Sequence, residues 1–173
     1  LDQPNSLIPG LDHRAIYGKD SGDLTEESPH SNDPSPHPAL GVDYGTSRIG
    51  IAATDDFGIL SHPLETIDRS NGADGIARIS EIATQRKVRT IVVGLPLRLD
   101  GSEGDSAKTV RDFAAKIARA LPHLPVVFVD ETFSTIDASQ KLREAGKNAR
   151  KQKALIDQAA AVEILNRWME EVG

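Results

Sequence analysis

Two short, continuously apolar segments, "RTIVVGLP" (residues 89–96) and "PVVFVDE" (125–131), flank the stretch "SEGDSAKTVRDFAAKIARALP". In that stretch Val110, Phe113, Ala114, Ile117, Ala118 and Leu121 recur at helical spacing. A strand, a helix and a second strand in this order predict two parallel strands with a helix packed on the sheet. Upstream, "ALGVDYG" and "RIGIAATD" read as two strands joined by a tight Gly45-Thr46-Ser47 turn, with "ILSHPLETID" as the third strand of an antiparallel meander. "NGADGIARISEIATQRK" predicts a helix capped at Asn71, with Ile76, Ile79 and Ala83 on one face. Beyond the last strand, "STIDASQKLREAG" predicts a helix capped by Ser134, and "KALIDQAAAVEILNRWMEEV" a terminal one. The expected fold is α/β: a five-stranded mixed sheet, three strands antiparallel and then two parallel, flanked by helices.

Only residues 39–173 carry such patterning. Residues 1–38 hold six of the ten prolines and the run "ESPHSNDPSPHP", without apolar periodicity. That composition buries too little apolar surface to offset the entropy of ordering, so a disordered, acidic, proline-rich tail is expected there. The 173-residue chain has no cysteine, which excludes disulfides and thiol catalysis. No apolar run reaches the roughly 20 residues of a membrane span, and the first residues lack signal-peptide form. A cytoplasmic protein with no membrane partner is expected.

Net charge is −6, which taken alone disfavours a polyanionic partner. Its distribution reverses that inference. Residues 1–38 carry seven acidic and two basic side chains, while "KLREAGKNARKQK" (141–153) carries six basic residues against Glu144 alone. Lys147, Arg150, Lys151 and Lys153 therefore make a basic strip suited to nucleic-acid phosphates.

The acidic side chains beside that strip carry the chemistry. Asp43 lies near the end of an otherwise apolar strand, where a carboxylate is costly unless a positive charge compensates for it. Asp130 and Glu131 close the last strand, and adjacent strand residues face opposite ways, so one of them should face the cleft. On the terminal helix, Ala154, Asp157, Ala161, Ile164, Leu165, Trp168 and Val172 share a face, and Asp157 is its one polar member. Its place near the helix start should favour an anion, and Arg150, Lys151 or Lys153 could supply a salt-bridge partner. Carboxylates from two strand ends and a helix suit Mg²⁺ or Mn²⁺, and a two-metal site would serve phosphodiester hydrolysis.

In order and spacing, "GVDYGTSRIGIA", "IVVGLPLRLDGSEG", "DETFST" and "RKQKALIDQAAAVEIL" resemble the YqgF (RuvX) family across residues 39–170. That resemblance implies an RNase H-like fold, with Asp43, Glu131 and Asp157 as catalytic, metal-binding acids. It implies a metal-dependent endonuclease that processes pre-16S ribosomal RNA, with structured RNA and a ribosomal precursor particle as partners. Holliday junction resolution on branched DNA is the alternative, and a non-catalytic nucleic-acid-binding module a third reading. One position departs from the pattern: the family usually has arginine after the "DE" pair, and this chain has Thr132. "DYGTSRIG" also resembles the first phosphate loop of actin-like ATPases, but the body has room for one such lobe, not two.

Overall fold

The computed structural model describes residues 35–132 and 149–172, with the backbone alone at positions 149 and 150. Five strands form one sheet: β1 (Ala39–Tyr44), β2 (Arg48–Thr54), β3 (Ser61–Asp68), β4 (Thr90–Leu95) and β5 (Val126–Asp130). Their spatial order is β3-β2-β1-β4-β5. The meander β1-β2-β3 is antiparallel, and β4 and β5 add to β1 in parallel. This is the expected five-stranded mixed sheet of an RNase H-like α/β fold.

Helices cover both faces, and the period of two along each strand decides which residues meet which helix. Leu40, Val42, Ile49, Ile51, Ile91 and Val93 pack with residues of α1 (Ile76–Gln85) and α2 (Asp105–Ala120). The six positions expected on the face of α2 and its C-terminal continuation are all buried. On the opposite face, Ala39, Ala52, Val92, Val127 and Val129 meet Ala161, Ile164, Leu165 and Trp168 of the terminal helix α3 (Ala149–Val172). Each large apolar side chain buried there contributes about 1.5–3 kcal/mol, so α3 is firmly seated. Val172, expected on this stripe, is instead 50% exposed, because it closes the helix beyond the sheet.

Two local expectations change. Asn71 does not cap α1; its Oδ1 accepts the Ala73 N–H inside a turn. Gly75, at φ 81°, takes the N-cap position, and Asp74 Oδ1 accepts the Ile76 N–H. A left-handed residue at the helix entry requires glycine, so the chain enters α1 four residues later than its side-chain chemistry suggests. Residues 35–38, placed with the tail by composition, bond to the body. Thr90 Oγ1 donates to the Pro36 carbonyl at 2.9 Å, and the Arg89 N–H to that of Pro38 at 2.8 Å. The predicted helix over 134–146 lies outside the described residues.

Candidate functional site

The face that receives α3 turns from apolar to acidic at one edge of the sheet. On β1 the stripe runs Ala39, Gly41, Asp43; on β5 it runs Val127, Val129 and then Glu131, just past the strand. Asp43 and Glu131 therefore continue an apolar surface by one more step of the same period. Strand parity also decides between the two adjacent acids. Glu131 faces the cleft, while Asp130 is exposed and accepts hydrogen bonds from the Thr132 N–H, at 2.8 Å, and from the Thr132 hydroxyl.

The two inward carboxyl groups are hydrogen-bonded to each other. Such a contact needs a proton between them. Burial, the Asp43 charge and the hydrogen bond to Asp43 push Glu131 up to about 8. Asp43 is pushed up to about 6, chiefly by burial, with the Asp157 charge adding to it and the Glu131 hydrogen bond opposing it. The pair thus shares a proton near neutral pH.

Two close approaches make the pocket possible. A Cβ on Gly94 of β4 would lie 1.9 Å from Glu131 Oε1, so the missing side chain is the space the Glu131 carboxyl occupies. A Cβ on Gly50 of β2 would lie 1.9 Å from the Asp157 carbonyl oxygen, so the backbone of α3 rests directly on β2 there. Asp43 pairs with Gly50 across the β1–β2 ladder, which brings Asp157 beside Asp43.

Asp157 is the ninth residue of α3, more than two turns in, so the helix dipole does not hold it as its place in the sequence suggests. An arginine does. Arg48 Nε donates to Asp157 Oδ2 at 2.6 Å, and the pair is partly buried. Of the basic residues near it in sequence, Lys151 and Lys153 are exposed on the first turns of α3 and are not the partner found, and the Arg150 side chain and Lys147 lie outside the described residues. Nothing in the pattern of "GTSRIG" assigns Arg48 a role; its position two residues before Gly50 is the one available signal. Arg167, also unmarked by the sequence, reaches back from α3 to donate to the Asp130 carbonyl, and its charge opposes the upward push on Glu131.

Asp43, Glu131 and Asp157 are therefore neighbours, but among the described residues no three His, Asp or Glu side chains converge tightly enough to form a ready cation cage. Two acids share a proton and the third leans on an arginine. The loop after β4 and the start of α2 border a separate, open cleft of about 330 Å³, lined by Pro96, Leu97, Arg98, Gly104, Asp105 and Ser106.

A protein of Mycobacteroides abscessus named "Putative pre-16S rRNA nuclease" is 42% identical over 153 residues, covering 88% of this chain and 92% of its own. A Mycobacterium leprae protein of the same name is 41% identical over 159 residues, covering 92% and 84%. A fowlpox virus resolvase, solved with its substrate Holliday junction DNA, shares the fold at TM-score 0.52 and 17% identity, covering 78% of this chain and 98% of its own. The model of the family described as RuvX, Holliday junction resolvase, matches residues 37–171, and the chain belongs to that family.

Proposed function

We propose that this chain is a divalent-metal-dependent endonuclease that trims precursor 16S ribosomal RNA in the cytoplasm, with Asp43, Glu131 and Asp157 as its metal ligands. The observation that carries the reading is the convergence of Asp43, Glu131 and Asp157 on the α3 face at one edge of the sheet. Crowding three carboxyl groups at a partly buried strand edge raises the cost of ionising them, and a hard cation relieves that cost while the donor oxygens suit it. The donor set fits Mg²⁺ or Mn²⁺. When bound, such ions activate water and stabilise the leaving oxygen of a phosphodiester.

The chain's own residues do the rest. Asp43 and Glu131 would both have to be ionised to serve as ligands, and Arg167 ties α3 to the end of β5. Lys151 and Lys153, exposed within the two turns before Asp157, contact backbone phosphates without reading bases. Ribosomal RNA is favoured over branched DNA because the relatives above 40% identity carry the pre-16S name. Among the described residues no helix is long and apolar enough to cross a membrane, which suits that compartment and a ribosomal precursor particle as partner.

The deciding experiment incubates metal-free protein with a 16S precursor carrying its leader, with single-stranded RNA and with a four-way DNA junction, each with and without Mn²⁺. Mn²⁺-dependent scission of the precursor is expected, lowered about a thousandfold or more by Asp43→Asn. Preferential cutting of the junction would move the assignment to a resolvase, and binding without cutting to a passive module. Replacing Lys151 and Lys153 by alanine should weaken RNA binding and reduce the slope of log K against log salt by about 1.4, roughly 0.7 for each phosphate that is no longer neutralised. An unchanged slope would remove those two lysines from the interface.

A further inference from the structure

We infer that Arg48 is an internal counter-cation that competes with the divalent ion for Asp157, so that loading the site requires the Arg48–Asp157 bond to open. The inference rests on the reading of Asp43, Glu131 and Asp157 as ligands, and goes beyond it by adding a residue that opposes them.

Register puts the arginine there. Arg48 opens β2, and position 48 shares a sheet face with position 50, which pairs with Asp43. Arg48, Gly50 and Asp43 therefore all face α3. The same absence of a side chain at Gly50 that lets α3 descend brings Asp157 down to the guanidinium, 109 residues away in sequence. The Nε–Oδ2 distance of 2.6 Å is that of a charge-assisted bond.

The orientation of Asp157 follows from this bond. Asp43 and Glu131 already touch, and Asp157 is close enough to act on Asp43 electrostatically, yet the three do not form a cage among the described residues. The carboxylate needed to complete it is held by Arg48. The bond joins opposite charges at close range, so a cation has to displace the guanidinium to take Asp157. The side chains are 35% and 19% exposed, so Arg48 has water to turn into when released and the pair need not strand a charge. Arg48 thus keeps Asp157 neutralised while the site is empty, and sets the ion concentration at which it fills.

Calorimetric titration of the metal-free full chain with Mn²⁺ tests this without any turnover. Arg48→Gln should bind Mn²⁺ about tenfold more tightly than wild type, and Arg48→Lys, which keeps the charge but not the planar fork, should fall between. Asp43→Asn and Glu131→Gln should bind more weakly than wild type. If wild type binds no Mn²⁺, or Asp43→Asn binds it equally well, the ligand reading fails and this inference with it. If Asp43→Asn weakens binding but Arg48→Gln binds no tighter than wild type, the inference alone is overturned. Should Arg48→Gln fail to fold, the wild-type arginine Nε–H spectrum carries the test. On titration with Mg²⁺ the Arg48 resonance should leave its hydrogen-bonded position, and an unmoved resonance at saturation overturns the inference.

Discussion

Glu131→Gln is expected to make the metal-free protein more stable at pH 8 while eliminating its metal-dependent cleavage. In the folded protein Glu131 and Asp43 are pushed up to about 8 and about 6, above ordinary carboxylate values of 4.5 and 3.8. The folded state therefore binds more protons than the unfolded state between roughly pH 4 and 8, and stability falls as pH rises through that window. Below it both carboxyl groups are protonated in both states and the destabilisation is absent. Above it the folded protein carries two buried like charges side by side. A glutamine amide still donates to Asp43 but never ionises, so the variant should lose most of the pH dependence and gain on the order of 2 kcal/mol at pH 8. Saturating Mn²⁺ should stabilise wild type most at high pH, where the ligands are already deprotonated, and the variant little. Urea unfolding in EDTA at pH 5, 6.5 and 8, repeated with Mn²⁺, reads all of this. Identical pH slopes for wild type and variant would show that the pair does not share a proton.

The reach of the sequence can be traced through these same acids. Asp43 and Asp157 are legible because each interrupts an apolar period, of two on β1 and of 3.6 on α3, and such an interruption needs only local information. Glu131 is half legible. Adjacent acids on a strand diverge, and the parity of Val127 and Val129 settles which one turns inward, but only once the face covered by α3 is known. The mix of antiparallel and parallel strands follows from a meander succeeded by alternating strands and helices, whereas the order β3-β2-β1-β4-β5 comes only from the structure.

What escapes is every feature created by contact between distant segments. Proximity in sequence offers Asp157 the basic residues at 150–153, whereas register and helix docking bring in Arg48 from β2. Side-chain chemistry assigns the α1 cap to Asn71, while the chain turns into the helix through a left-handed glycine that no capping signature marks. Thr132 has a local role that its sequence does not announce: its N–H and hydroxyl both donate to Asp130 in the turn leaving β5. Of the basic strip, Lys151 and Lys153 are exposed on α3, as binding to phosphate requires.

Gly50→Ala should cost about 3 kcal/mol or more, although local propensity predicts the opposite sign. Glycine weakens a strand interior, and restricting the unfolded chain would by itself stabilise the protein by about 0.4–1 kcal/mol. The new Cβ would lie 1.9 Å from the carbonyl oxygen and 2.3 Å from the carbonyl carbon of Asp157. Those are backbone atoms in the middle of a helix, and no rotamer change relieves them. Either β2 bends or α3 lifts, and lifting α3 opens the interface that buries Ala161, Ile164, Leu165 and Trp168. The site should suffer with the fold, because the same lift carries Asp157 away from Arg48 and Asp43. Gly94→Ala separates the two effects. Its Cβ would also meet atoms at 1.9–2.5 Å, but these are the ends of the Glu131 and Ile164 side chains, which can swing aside. That variant should lose less stability than Gly50→Ala yet lose cleavage and Mn²⁺ affinity, because the space it fills is where the Glu131 carboxyl lies. Denaturant unfolding and Mn²⁺ titration of both variants check this. A Gly50→Ala protein as stable as wild type would mean that α3 does not rest on β2 at Asp157, and the geometry that brings the three carboxylates together would have to be redrawn.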